Sequence, residues 1–117
     1  MKINQVEELV GITKKNIRFY EDQGLVKPER NPDNGYREYS ISDVMQLEKI
    51  KLLRMLDVPC EDIRRLINND VSLKECMEAH SISLAHRQRD IENMKEMCDL
   101  LYSENPGFDE MRCCSSN

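Results

Sequence analysis

The apolar positions at the start of the chain predict two short helices separated by a turn. Their helical spacing predicts the first helix over residues 3–10, and Gly11 can take the positive φ of a helix stop. Thr13 offers an N-cap hydroxyl for a second helix over residues 14–23, which Gly24 ends. Two short helices around such a turn form a candidate helix-turn-helix.

The second predicted helix carries the first candidate chemistry. Basic and polar residues crowd its N-terminal half, where a recognition helix places side chains against base edges and its dipole favours phosphate. They are Lys14, Lys15, Asn16 and Arg18. A solvated surface face would have the same composition, so this pattern indicates DNA binding only in combination with its neighbours.

A strong turn signal follows, with aromatic and basic residues directly beyond it. The turn signal is the sequence Pro-Asp-Asn-Gly at residues 32–35, and Tyr36, Arg37 and Tyr39 come next. A turn that presents such side chains beside a recognition helix is typical of a wing. Arg37 suits bidentate phosphate contact, and Tyr36 suits a phosphate hydrogen bond or sugar packing.

Two further helices are predicted to complete the core. Ser42 and Asp43 predict the start of a longer helix that runs through residue 56, and Pro59 predicts the start of another. Arg54, on the longer helix, is a candidate for contact with the DNA backbone.

The longest helical pattern runs from residue 73 to about residue 102 and fits a heptad repeat. Seven of its nine seam positions are apolar and predict a dimer interface of Leu73, Met77, Leu84, Ile91, Met94, Cys98 and Leu101. A lone helix cannot bury such a stripe, so a second copy of the chain is the expected partner. His80 and Arg87 interrupt the seam. Either they fix the register of the paired helices, or the assignment of heptad positions is imperfect.

Composition and charge bound the class of protein. At 117 residues, with 33% charged residues, four Gly and four Pro, the chain suits one mainly α domain. Residues 71–117 hold nine acids against five bases, so most of the net charge of −5 lies there and the first 70 residues can still bind DNA. Neither a membrane-length apolar run nor a Gly-rich phosphate loop occurs, so we expect a cytoplasmic protein that is not an enzyme.

Three segments, in this order, closely resemble the N-terminal domain of the MerR family of transcriptional regulators. They are residues 17–26, 35–39 and 53–67, and the resemblance covers roughly residues 1–70. It implies a winged helix-turn-helix over residues 1–70, an antiparallel dimerisation helix over 71–104 and a short tail over 105–117. It also implies a homodimer that binds double-stranded promoter DNA and distorts it for RNA polymerase.

The resemblance also assigns roles to residues. Those in the major groove and at its edge would be Thr13, Lys14, Lys15, Asn16, Arg18 and Tyr20. Tyr36 and Arg37 would grip the DNA backbone from the wing. Two positions depart from the family pattern: Phe19 stands where Tyr is frequent, and Asp57 stands where Gly is frequent before the next helix.

The five cysteines lack the spacing of a disulfide framework and are expected to be thiols. Short members of the family sense metals through cysteines near the end of the dimer helix, so Cys76, Cys113 and Cys114 are candidate ligands of a thiolate-bound soft metal ion. Incidental thiols remain the alternative, because Cys113 and Cys114 are adjacent and lack C-x-x-C spacing. Cys60 and Cys98 are expected to be ordinary buried residues.

Two other functions are compatible with the sequence. One is an architectural, excisionase-like DNA-binding protein without an inducer-driven switch, which a two-fold symmetric footprint would distinguish from a regulator. The other is a coiled-coil adaptor that binds only protein, which would leave Arg18, Tyr36 and Arg37 without a purpose.

Overall fold

The computed structural model describes residues 1–112, and its elements appear in the predicted order. The helices are α1 Ile3–Val10, α2 Lys14–Asp22, α3 Ile41–Met55, α4 Cys60–Ile67 and α5 Leu73–Glu104. The two strands are β1 Glu29–Arg30 and β2 Arg37–Glu38, and a 3-10 turn follows α5 at Phe108–Glu110. The strands pair antiparallel, with Glu29 opposite Glu38 and Arg30 opposite Arg37. The predicted mainly α fold is confirmed.

The chain divides into two compact units, Met1–Met77 and Glu78–Asn117. The first unit contains helices α1 to α4, both strands and the first turn of α5. Its core draws on every helix of this unit and on the loops between them, which fixes the short helices against each other. The core residues are Val6, Val10, Ile12, Ile17, Tyr20, Leu25, Val26, Tyr39, Val44, Leu47, Ile50, Val58, Ile63 and Cys76.

Helix α3 begins earlier than the sequence predicted. Ser40, not Ser42, is its N-cap: the Ser40 hydroxyl accepts a hydrogen bond from the Asp43 amide at 3.1 Å, and the Asp43 carboxylate accepts one from the Ser40 amide at 2.9 Å. This reciprocal pair satisfies two amide donors, which a cap at Ser42 could not do with the same acid. The helix therefore begins at Ile41, one residue before the start at Ser42 that the sequence predicted.

The loop between α3 and α4 explains one departure from the family pattern. Asp57 adopts a φ of 64°, in the left-handed region. Glycine reaches this region without steric cost, whereas aspartate tolerates it as one of the few other residues that do so. The loop therefore needs the left-handed conformation at position 57, whether the residue is the glycine frequent in the family or the aspartate of this chain.

Tyr39 was predicted to be part of an exposed arm, but it is buried in the core. Its hydroxyl finds no hydrogen-bond partner within residues 1–112, and burial raises the pKa of this phenol above its ordinary value. The folded state therefore favours neutral Tyr39. The resulting stability is complete below the unfolded pKa of about 10 and falls as pH rises above it.

We expect the change Tyr39→Phe to leave stability at pH 7 equal or higher by up to about 1 kcal/mol, since it removes an unsatisfied buried hydroxyl. It should also flatten the loss of stability between about pH 10 and 12. Urea denaturation followed by circular dichroism at pH 7 and pH 11 measures both effects. A loss of more than about 1 kcal/mol at pH 7 would show that the hydroxyl is satisfied in the folded protein.

Candidate nucleic-acid interface

Two acceptors fix the N-terminal end of helix α2. The Thr13 hydroxyl accepts a hydrogen bond from the Asn16 amide at 3.2 Å, as an N-cap does. The Glu7 carboxylate of helix α1 accepts one from the Lys14 amide at 2.9 Å. A carboxylate at this end also complements the helix dipole. The first turn of α2 is thus anchored to α1 before any ligand binds.

One side of helix α2 is buried and the other is exposed. Ile17 and Tyr20 are buried beneath the helix, whereas Lys15, Arg18 and Phe19 are exposed. The exposed three are spaced i, i+3 and i+4 and therefore share one face. Asn16 is also exposed. This face offers two cations, an amide and an aromatic ring, the groups that contact phosphates, base edges and thymine methyls.

Tyr20 and Phe19 differ in exposure. Only 7% of Tyr20 is exposed, against 44% of the adjacent Phe19. The two rings meet edge to face, with centroids 5.7 Å apart. The ring of Tyr20 therefore belongs to the core, and the expected contact of Tyr20 with DNA stays a prediction. The exposed aromatic ring is that of Phe19, which sequence reasoning noted only as a departure from the family.

The predicted wing forms a closed turn between the two strands. The Asn31 amide donates to the Tyr36 carbonyl at 2.7 Å and the Gly35 amide donates to the Asn31 carbonyl at 2.8 Å. The Asn34 side chain accepts from the Tyr36 amide at 2.9 Å, and Gly35 takes a φ of 72°. These bonds hold the turn in one conformation and present Tyr36 at its edge.

The side chains of the wing are positioned by other elements. Arg37 Nε donates to Glu21 Oε1 of helix α2, which joins the wing to that helix. This hydrogen bond raises the pKa of Arg37. Tyr36 is exposed, and Lys2 Nζ lies 5.3 Å from the centroid of its ring, within the range of a cation–π contact.

These groups surround a small cavity of about 250 Å³, which we call the wing cavity. Its lining consists of Lys2, Ile3, Asn4, Arg18, Gly35, Tyr36 and Arg37. It combines three cations with a phenol and the start of helix α1, a set suited to a phosphate group. Sequence reasoning missed Lys2 and Asn4, because nothing in the local pattern brings the start of the chain beside the wing.

Arg54 has a structural partner in the fold. Its Nη1 donates to the Val58 carbonyl at 2.9 Å, across the loop between α3 and α4. Lys51, one turn earlier, donates to the Val10 carbonyl at 2.9 Å and closes the end of α1. Arg54 is also exposed, so its expected contact with the DNA backbone stays a prediction.

The cysteines do not form a site within residues 1–112, and no group of three or more His, Cys, Asp or Glu side chains in that range is placed to hold a metal. Cys76 is buried, and burial raises the pKa of its thiol. Cys113 and Cys114 lie outside the described residues. Cys60 is half-buried, and Cys98 is exposed on the single chain. Its expected burial in the dimer seam stays a prediction.

Helix α5 presents its predicted seam to solvent. Leu73, Leu84, Ile91, Met94 and Cys98 are exposed, whereas Met77 and Leu101 are partly buried. A continuous helix of 32 residues with so many exposed apolar groups is expected to have a partner. None of the helices described within residues 1–112 is long and apolar enough to cross a membrane.

Comparisons with known proteins show which regulatory proteins this sequence resembles. The sequence model of the MerR HTH family of regulatory proteins matches residues 1–70. The HTH-type transcriptional regulator YfmP of Bacillus subtilis (strain 168) is 32% identical over 111 residues, which is 94% of this chain and 79% of that protein. A probable heavy metal-dependent transcriptional regulator of Haemophilus influenzae is 30% identical and aligns with 100% of this chain and 97% of its own length.

A solved structure shares the fold. The EcmrR chain in a cryo-EM structure of an EcmrR–DNA complex superposes with a TM-score of 0.78 at 26% identity. The match covers 89% of this chain and 39% of the EcmrR chain. The EcmrR structure was determined as a complex with DNA.

Proposed function

The chain is a DNA-binding transcriptional regulator of the MerR family, and we propose that it binds a promoter as a homodimer and distorts the DNA to control transcription initiation. The observation that carries the proposal is the combination of the exposed face of α2 with the wing cavity. Lys15, Asn16, Arg18 and Phe19 face outward from one helix, and cations line the cavity beside the wing. An adaptor that binds only protein would not need these exposed α2 residues and the cations of the wing cavity together.

In the proposed complex, helix α2 enters the major groove. Lys15 and Asn16 contact base edges and determine sequence preference, whereas Phe19 packs against thymine methyls or sugars. Thr13 and Lys14 support this face through the anchored first turn of the helix.

The wing cavity receives a backbone phosphate in this proposal. Lys2 and Arg18 supply charge, and the Tyr36 hydroxyl supplies a hydrogen-bond donor. Arg37 keeps its Nε on Glu21 and can still donate to a phosphate with its two terminal nitrogens. In the proposed complex the ion pair would orient Arg37 toward the DNA backbone.

The homodimer supplies the second half of the proposed site. Two α5 helices would pair antiparallel through their exposed seams and hold two recognition helices over two half-sites. Bending and untwisting of the DNA between these half-sites would align promoter elements for RNA polymerase in the cytoplasm.

A footprint on the DNA upstream of the chain's own coding sequence tests this function. We expect protection of two half-sites related by two-fold symmetry, with distorted DNA between them. Protection of a single, asymmetric site would favour an architectural, excisionase-like protein. An affinity with no salt dependence would overturn DNA binding itself.

The wing cavity makes a quantitative prediction. The changes Lys2→Gln and Arg18→Gln should each lower the slope of log affinity against log salt concentration by about 1, since each removes one phosphate contact. Fluorescence anisotropy at several salt concentrations measures the slope. Lys95→Gln, the same chemical change at an exposed residue of α5, is the control and should leave the slope unchanged. Equal slopes for all three variants would place the phosphate elsewhere.

We propose metal sensing as the switch, supported by the similarity to the probable heavy metal-dependent transcriptional regulator of Haemophilus influenzae. Cys113 and Cys114 would supply two thiolates to a soft ion such as Cu(I), Hg(II) or Zn. Cys76 fits poorly as a third ligand on this chain, because its thiol is buried and its raised pKa disfavours the thiolate.

The double change Cys113→Ser, Cys114→Ser should abolish tight Hg(II) binding, which ultraviolet absorption of the metal–thiolate bond reports. Cys76→Ala should retain Hg(II) binding. If the serine variant keeps tight binding, the switch does not use these two thiols.

A further inference from the structure

Helix α2 ends in a turn whose backbone hydrogen bonds do not include the carbonyl of Gln23. Gln23 is the C-cap of the helix, and Gly24 follows it with a φ of 76°. The Leu25 amide donates to the Tyr20 carbonyl at 2.9 Å. The Gly24 amide donates to the Glu21 carbonyl, also at 2.9 Å. This pair of bonds is a Schellman motif, which satisfies carbonyls before the cap and leaves that of Gln23 for another donor.

Arg64 of helix α4 supplies that donor. Its Nη2 donates to the Gln23 carbonyl at 2.8 Å and to Gln23 Oε1 at 3.2 Å. The preceding residue, Ile63, is fully buried in the core, so the position of α4 is itself fixed. A cation at the C-terminal end of a helix also complements the helix dipole. Arg64 therefore holds the end of the recognition helix from a different element of the fold.

Lys51 makes the same kind of contact at the end of helix α1. Its Nζ donates to the Val10 carbonyl at 2.9 Å, and Lys51 and Arg64 are both half-buried. Each of the two contacts joins residues 41 positions apart. They differ in the helix that they hold, because α1 supports the fold whereas α2 carries the face proposed to read DNA. Lys51 is therefore a matched reference for any effect of Arg64 that comes from stability alone.

The precision of this attachment bears on sequence preference. Hydrogen bonds to base edges form only over a range of about 0.5 Å in donor–acceptor distance. Electrostatic attraction to phosphates tolerates larger displacements and is the same for every sequence. A small displacement of the end of α2 would therefore weaken binding to the correct site more than binding to unrelated DNA.

We propose that Arg64 is a positioning residue that determines how well the protein distinguishes its promoter site from other DNA. The inference rests on the DNA binding through α2 proposed above. Arg64 acts through Gln23, because its Nη2 is engaged by that residue and its Nη1 lies 3.4 Å from Glu61 Oε2. By fixing the end of α2, it keeps Lys15 and Asn16 directed toward the base edges.

The ratio of the affinity for the promoter site to the affinity for a scrambled duplex tests this role. Arg64→Met removes the donors and keeps an unbranched stem, and we expect it to lower the ratio by about tenfold or more. Lys51→Met removes the matched contact at α1 and should leave the ratio within about twofold. Arg64→Lys can still donate to the Gln23 carbonyl and should recover part of the loss. Fluorescence anisotropy at several salt concentrations measures the affinities.

The same titrations contain the results that would overturn the proposal. Equal losses of the ratio in Arg64→Met and Lys51→Met would leave Arg64 a contact for stability only. A salt slope lower by about 1 in Arg64→Met would mean that Arg64 contacts a phosphate itself. If the unsubstituted chain does not distinguish the promoter site from the scrambled duplex, the proposed function fails, and this inference fails with it.

Hydrogen exchange of backbone amides, followed by NMR, tests the attachment without DNA. Arg64→Met should accelerate exchange of the Leu25 amide by about tenfold and leave the Gly11 amide, which donates to the Glu7 carbonyl, unchanged. Lys51→Met should have the reverse effect. Loss of global stability would accelerate both amides together. Equal acceleration of the two amides in Arg64→Met, or no acceleration at Leu25, would overturn the role of Arg64 even if the unsubstituted chain binds its promoter.

Discussion

Replacing Ile91 with glutamate is expected to separate the two copies and to reduce affinity for promoter DNA by roughly 100-fold or more. Ile91 is near the middle of α5 and occupies a central position of the seam. Two carboxylates would enter the interface, and a buried charge without a partner costs several kcal/mol. Each separated copy then binds a single half-site and loses the avidity of the pair. Sedimentation velocity and anisotropy measure dissociation and affinity.

The control for this change is Ile82→Glu. Ile82 and Ile91 have nearly the same exposure on a single chain, 55% and 59%, but Ile82 lies outside the heptad seam. We therefore expect Ile82→Glu to remain dimeric and to bind DNA normally. Dimers of the Ile91→Glu variant at micromolar concentration would show that the seam has been assigned to the wrong face of α5.

The change Ile17→Ala should destabilise the DNA-binding unit by about 2–5 kcal/mol. Ile17 is fully buried under the recognition helix, and its truncation leaves a cavity between α2 and the rest of the core. A small protein has a total stability of about 5–15 kcal/mol, so such a loss is a large share. Urea denaturation followed by circular dichroism gives the free energy of unfolding.

Leu9→Ala provides the comparison for Ile17→Ala. Leu9 is also aliphatic and helical but 58% exposed, against 0% for Ile17, and its truncation should cost less than about 0.5 kcal/mol. The recognition helix should also bind DNA more weakly in Ile17→Ala, because packing of the Ile17 side chain in the core positions the exposed face of the helix. If both variants lose the same stability, α2 is not held by the core in the way described.

The sequence predicted the helices more accurately than their ends. The predicted helix over residues 3–10 coincides with α1, Ile3–Val10, because an apolar stripe and a glycine stop agree there. The start of helix α3 was predicted at Ser42, one residue after its first residue, Ile41. The Asp43 carboxylate accepts a hydrogen bond from the Ser40 amide and so fixes Ser40 as the cap, which depends on geometry and not on composition.

The candidate site was predictable in its parts but not in its arrangement. Ile17 and Tyr20 share one face of the helix predicted over residues 14–23, and both are buried in α2. The cluster of bases in α2 was visible in the sequence. The pair of Arg37 with Glu21 and the approach of Lys2 to Tyr36 join residues 16 and 34 positions apart, and no local pattern predicts such contacts.

The hydrogen bond between Arg37 and Glu21 has a consequence for how this protein would select its DNA. It ties the wing to the recognition helix, so the distance between the two is fixed before binding. The recognition helix would then contact the major groove while the wing contacts the sugar–phosphate backbone at a fixed separation. Sites whose groove width matches the gap would bind without deformation, and others would pay an elastic cost. Discrimination would then extend to base pairs that no side chain touches.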